Sequence, residues 1–215
     1  MIRIVKGSSH GDSMVRRVLS SAGLLALLLG AGACFAATDG PVLQSCSACH
    51  GDDGIATQPQ TPHLNAQSAA FITDALAAFA SGQRPTAVVA HGAVAADQVA
   101  ALAKHYAGQN RGGRPRQEDD AELVSRGATI YSDRCSECHL DGGRDSDDGA
   151  PLMAGQDKAF LVAQTLLFKS GVRKFPFMMG RAYARLSDED LIAVATYFAV
   201  QDPASAGISK KKRRK

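Results

Sequence analysis

The sequence predicts an all-α fold of two similar units, and three observations carry that prediction. Apolar residues recur at helical spacing in segments closed by glycine, no alternating strand pattern competes, and the second half repeats the first at a constant offset. In the second unit, Ala121 to Cys138 reads as a helix. Lys158 to Ser170 (KAFLVAQTLLFKS) sets Phe160, Leu161, Leu166 and Leu167 on a helical stripe and ends at Gly171, a residue suited to the left-handed helix stop. Ser187-Asp-Glu-Asp190 resembles a capping box with acids in the first turn, opening a helix through Leu191 to Val200. The first unit repeats the scheme with Ser68 to Ala80, closed by Gly82, and Ala96 to Gly108. Between the units lies a polar Gly/Pro stretch, QNRGGRPRQE, starting at Gln109, which reads as a linker over 110–118.

The repeat is specific. Cys46 and Cys135 are 89 residues apart, and the same offset relates Asp52 to Asp141, Gly54 to Gly143, Pro62 to Pro151, Gln67 to Gln156, Phe79 to Phe168, Gly82 to Gly171 and Arg84 to Arg173. Identity held at one offset over this span means duplication of a whole unit. The predicted organisation is a leader over 1–36, a first domain over 37–109, the linker, a second domain over 119–203 and a tail over 204–215.

Composition excludes several classes. With 45% hydrophobic and 21% charged residues among 215, the chain is not wholly disordered, and five Cys are too few for a disulfide scaffold. Aromatics make up 6% and Trp is absent, so the core is not built mainly from large rings. The net charge of +3 conceals a division. Lys210 to Lys215 contribute six positive charges and residues 1–36 a further net +3, leaving the body at −6. An acidic body is not the signature of a nucleic-acid-binding domain. The tail reads as a solvated terminus, or as a contact to anionic lipid headgroups or an acidic partner.

The leader has the layout of a secretory signal peptide. Arg16 and Arg17 precede an apolar stretch centred on Leu24 to Leu29, and small residues from Ala33 to Ala37 follow. Met14 is the better start, cleavage falls near Ala36 or Ala37, and Cys34 leaves with the leader. The expected location is a bacterial periplasm.

The other four Cys form two clusters, Cys46-Ser-Ala-Cys49-His50 and Cys135-Ser-Glu-Cys138-His139. C-x-x-C-H is the attachment signature of c-type haem: two thiols one helical turn apart for two thioether bonds, then an imidazole for the iron. A redox C-x-x-C or a four-Cys zinc site would have to explain the adjacent His twice over. Two covalent haems, one per unit, also supply apolar interior that units of roughly 70–90 residues lack. A low-spin electron-transfer haem needs a second axial ligand, commonly Met or His. In the second unit Met153 is on the same side as His139 and reads as packing, while Met178-Met179-Gly180 precedes the Ser187 helix and can reach the opposite face; spacing favours Met179 over Met178. The first unit has no Met after His50. Of its remaining His residues, His63 falls on the side of His50, His105 reads as helix packing, and His91-Gly92 stands where Met179-Gly180 stands in the other unit. His91 is therefore the expected sixth ligand.

With these residues assembled, residues 38–203 resemble the tandem diheme class I cytochromes c of the c4 type. Within that group the chain is most similar to the diheme cytochrome subunit of flavocytochrome c sulfide dehydrogenase. The residues that carry this likeness are Tyr131-Ser-Asp-Arg-Cys135-Ser-Glu-Cys138-His139-Leu-Asp-Gly-Gly143, the acidic run from Asp145 to Asp148, Met153-Ala-Gly-Gln156 and Met179-Gly-Arg181. The resemblance implies that the Pro62 and Pro151 carbonyls orient His50 and His139 through Nδ1 and that Met179 ligates the second iron. His91 departs from it, standing where the family would place Met. It further implies a redox subunit that accepts electrons from a flavoprotein dehydrogenase and passes them to another cytochrome or an oxidase, with no substrate chemistry of its own. A free-standing c4-like carrier is the alternative, and a diheme thiosulfate dehydrogenase or peroxidase ranks last, because the only spare Cys is Cys34.

Overall fold

Glycine, proline and polar caps cut the chain into short helices. The computed structural model describes residues 40–145, 149–175 and 179–205. The leader with Met14 and Cys34, residues 146–148 of the acidic run, Met178 and the Lys210 to Lys215 tail lie outside them. In chain order the helices are α1 (Pro41–His50), α2 (Ala69–Ala80), α3 (Val89–Gly92), α4 (Ala96–Ala107), α5 (Ala121–Ile130), α6 (Leu140–Gly143), α7 (Lys158–Lys169), α8 (Met179–Tyr183) and α9 (Asp188–Val200), and no strand forms among the described residues. The fold is all-α, and no described helix is long and apolar enough to cross a membrane.

The caps follow the sequence closely. Ser68 accepts from Phe71 N–H at the start of α2, and Ser187 and Asp190 close a reciprocal capping box at the start of α9. One expectation is corrected. The helix over Ala121 to Cys138 ends early: α5 stops at Ile130, Tyr131–Cys135 continue with wider π-helical spacing, and Cys138 lies in a turn. The i→i+5 bond from Ser136 N–H to Tyr131 O, 2.9 Å long, marks the change.

Two apolar clusters form, one per half. Leu43 of α1, Ile72 of α2 and Leu102, Ala103 and Tyr106 of α4 make the first. Ile130 of α5, Leu161 of α7 and Ala193 to Ala195, Phe198 and Ala199 of α9 make the second. The halves are joined by an exchange of side-chain amides that obeys the sequence repeat. Gln67 Nε2–H donates to Leu152 O (2.8 Å) while its Oε1 accepts from Leu152 N–H (2.9 Å); Gln156 treats the backbone of His63 in the same way (2.9 and 2.6 Å). His63 and Leu152, like Gln67 and Gln156, are related by the 89-residue offset, so this is an internal two-fold contact of the isologous kind. The segment read as a linker is irregular but anchored: Arg114 is buried, donating to Asn65 Oδ1, Asn65 O and Ala154 O. Truncating Gln67 or Gln156 to alanine strands one buried N–H and one buried C=O, and each variant is expected to lose about 3 kcal/mol, read as a lower urea midpoint. An unchanged midpoint would show that the exchange contributes nothing.

Candidate haem site

In each half a glycine turns the loop after the C-x-x-C-H motif back onto its own His. Gly54 (φ 79°) and Gly143 (φ 86°) occupy the left-handed region, and each carbonyl accepts two consecutive N–H groups of the returning loop, from Leu64 and Asn65 and from Met153 and Ala154. A β-carbon at Gly54 would lie 2.5 Å from Asn65 N, so no other residue fits. The return brings Pro62 O to 2.9 Å from His50 Nδ1 and Pro151 O to 3.1 Å from His139 Nδ1. A carbonyl only accepts, so each Nδ1 carries the proton and each Nε2 presents a lone pair. Burial is the main cause holding both imidazoles below the usual His pKa, which keeps them neutral and fit to ligate a metal.

Cys46, Cys49 and His50 sit on the last turns of α1; Cys135 ends the π-helical segment, with Cys138 and His139 in the following turn. None of Cys46, Cys49, Cys135 and Cys138 is joined in a disulfide. Burial, with the Cys138 neighbour adding to it, pushes the Cys135 thiol up to about 11, and burial also raises Cys46. Neither has the depressed pKa of a C-x-x-C redox nucleophile. Among the described residues no three His, Cys, Asp or Glu side chains converge as a metal-binding group.

His50, His91, His139 and Met179 line one largely apolar cavity of about 410 Å³ that runs through both halves. His91, on the single turn α3, faces His50 with ring centres 6.1 Å apart. Two imidazoles bonded to one metal ion from opposite sides, each at about 2 Å, require ring centres about 6 Å apart. Thr86 Oγ1 lies 3.0 Å from His91 Nδ1 and also accepts Val88 N–H, while Phe79 stacks on the ring at 4.6 Å. Burial, then the neighbouring His50, lowers the His91 pKa, so this imidazole too is neutral. In the second half Met179 opens α8, half-buried, and lines the cavity together with Phe168 and Tyr183. Thiols on one side, facing imidazoles and an apolar cavity form a donor set that fits c-type haem.

The other His and Met candidates are placed elsewhere. His63 is buried, its Nδ1 accepting Ala56 N–H, with burial and the Arg114 charge lowering it to about 4. His105 bonds Asp52 O through Nε2 and packs edge-on against Tyr106. Met153 packs against the second apolar cluster. Sequence reading gave Thr86, Gln164 and Arg114 no role, and nothing in the local pattern marks the first two. Gln67, Gln156, Arg84 and Arg173 did carry a signal, their place in the repeat, but no function attached to it.

The comparisons with known proteins agree with this geometry. A family profile described as cytochrome c oxidase, cbb3-type, subunit III matches residues 122–198. The thiosulfate dehydrogenase electron acceptor of Thiomonas intermedia is 32% identical over 87% of this chain and 92% of its own length. Cytochrome c4 of Azotobacter vinelandii is 28% identical over 71% of this chain and 82% of its own. The crystal structure of reduced cytochrome c4 from Pseudomonas stutzeri superposes with a TM-score of 0.60, covering 74% of this chain and 94% of that one at 24% identity, a likeness of fold.

Proposed function

We propose, for a chain that belongs to the family of diheme c4-like cytochromes and thiosulfate dehydrogenase electron acceptors, that it accepts electrons from a dehydrogenase of reduced sulfur compounds and delivers them to a further cytochrome or oxidase. Membership of this family implies covalently bound haem c, two per chain. One observation carries the reading: two C-x-x-C-H motifs, related by the sequence repeat, hold neutral, carbonyl-oriented imidazoles in one continuous cavity.

Cys46 and Cys49 would attach one haem and Cys135 and Cys138 the other. His50 and His139 would each supply one nitrogen to an iron, oriented by Pro62 O and Pro151 O, and His91 and Met179 would serve as the further ligands. Bound there, haem iron supplies a one-electron ferric/ferrous couple. The residues' task is to hold that couple at a set potential while the apolar lining keeps water out, and no residue here is assigned to substrate chemistry. On this reading the leader over 1–36 would direct export to the periplasm.

The donor is the finer question. The Thiomonas relative's name favours a thiosulfate dehydrogenase, whereas the Met179-Gly-Arg181 motif favours the flavoprotein of a sulfide dehydrogenase. Stopped-flow mixing of the oxidised protein with each enzyme and its substrate separates them. Haem reduction is expected with thiosulfate dehydrogenase plus thiosulfate. Reduction only by the flavoprotein plus sulfide would transfer the donor role to it, and reduction by neither would overturn the proposal.

A further inference from the structure

One arginine sits between the two halves with no carboxylate beside it. Arg114 lies in the irregular segment that joins the units, is buried, and takes part in none of the ion pairs among the described residues. Oxygen atoms solvate it instead. Its Nη2 donates to Asn65 O (2.8 Å), its Nη1 to Ala154 O (2.7 Å) and its Nε to Asn65 Oδ1 (2.9 Å). Asn65 and Ala154 are related by the 89-residue offset, so the two ends of one planar fork hold the same backbone atom in each half. The third bond is one-sided, because the repeat puts alanine where the first half has Asn65. Asn65 Nδ2 in turn donates to Asn110 O (2.7 Å), which ties the segment down ahead of Arg114.

The loops that Arg114 joins are the ones that orient His50 and His139. Asn65 and Ala154 each stand three residues after the proline whose carbonyl meets the imidazole, and each donates its own N–H to the turn glycine, Gly54 or Gly143. Burial, helped by the Arg111 charge, brings Arg114 down to about 10, so it remains a cation at neutral pH. Its field reaches the cavity wall: after burial, the Arg114 charge is the main cause holding His63 low, and His63 lines the cavity. A charge held away from bulk water is screened far less than one at the surface.

We infer that Arg114 is a positioning residue shared by the two haem sites, which locks the two His-orienting loops together and, as a fixed cation, raises both reduction potentials in step. This rests on the diheme reading above. Ferric haem carries one more positive charge than ferrous haem, so a fixed cation nearby disfavours the ferric form. A side chain belonging to one half would bias one site. Arg114 meets equivalent atoms of both, so its loss is felt at both. A purely structural clamp would hold the loops and leave the potentials alone, which makes the two roles separable.

The test is a spectroelectrochemical titration of the intact, haem-loaded protein beside Arg114→Gln, Arg114→Lys and Asn65→Asp. Arg114→Gln is expected to lower both midpoint potentials. Arg114→Lys keeps the charge but loses the fork, so it should retain most of the wild-type potentials while its urea midpoint falls. Asn65→Asp is nearly isosteric and neutralises the guanidinium in place, so it too should lower both potentials. It keeps the test open if Arg114→Gln fails to load haem. A shift confined to one haem, or none, in a charge-removing variant that keeps two haems with unchanged ligand bands would overturn the shared role and leave the diheme reading intact. Potentials lowered as far by Arg114→Lys would overturn the part given to charge, and an Arg114→Lys variant as stable as the wild type would overturn the lock. A wild type that does not hold two haems would instead overturn the diheme reading itself.

Discussion

Replacing Cys135 and Cys138 by alanine should leave a chain that carries one covalent haem and whose second half no longer unfolds cooperatively. The magnitude comes from the cavity. Its volume is about 410 Å³. A void of that size costs about 10 kcal/mol at the rate found for core cavities, with roughly half falling to each site. Whole domains are stable by only about 5–15 kcal/mol, and the smallest by least. The second half has no reserve to meet that loss, because its apolar cluster includes four alanines or valines of α9 among its buried members and only one buried aromatic, Phe198. Mass spectrometry and haem-stained denaturing gels should show one haem's mass missing, and the far-ultraviolet melt should lose one of its transitions. A variant that still holds two haems, or melts as the wild type does, would sink the attachment assignment.

Legibility in the sequence followed the range of the interactions. Caps and glycine stops are local, so Ser68, Ser187, Gly82 and Gly171 could be read directly and stand where expected. The π-helical widening at Tyr131–Cys135 was not legible. It is set by tertiary packing, with Tyr131 stacked on Tyr197 at 4.8 Å, whereas the local pattern continues as an ordinary helix. The duplication exposed the residues of the site as pairs, and those with a known chemistry, Cys, His and Met, drew a role at once. Gln67, Gln156 and Arg84 appeared in such pairs too, but their hydrogen-bond partners lie across the two-fold contact, 80 to 93 residues away in the chain. Thr86 was silent because a threonine near a histidine is unremarkable until the 3.0 Å contact to Nδ1 is seen.

With His91 and Met179 as the proposed sixth ligands, the two haems should be spectroscopically unlike. His91 faces His50 at 6.1 Å between ring centres, and its Nδ1 is engaged by Thr86, which leaves Nε2 as the ring nitrogen for the proposed ligation. Met179 is the corresponding residue of the second half. Thioether sulfur stabilises ferrous iron relative to imidazole, and axial-ligand identity is among the factors that spread haem potentials over about 0.8 V. The first site should therefore have the lower potential, so that electrons received at the N-terminal half run downhill to the C-terminal one. The oxidised wild type should show one haem's worth of the weak near-infrared sulfur-to-iron band. Met179→His should abolish that band, and His91→Met should add a second one while raising the lower potential. Thr86→Ala frees the His91 ring and should move the lower potential without touching the band, with Thr86→Ser restoring it. Two sulfur bands in the wild type, or a His91→Ala variant with unchanged spectra and potentials, would show that His91 is not the ligand. The same titration decides the direction of electron flow, because electrons pass from the site of lower potential to the site of higher potential.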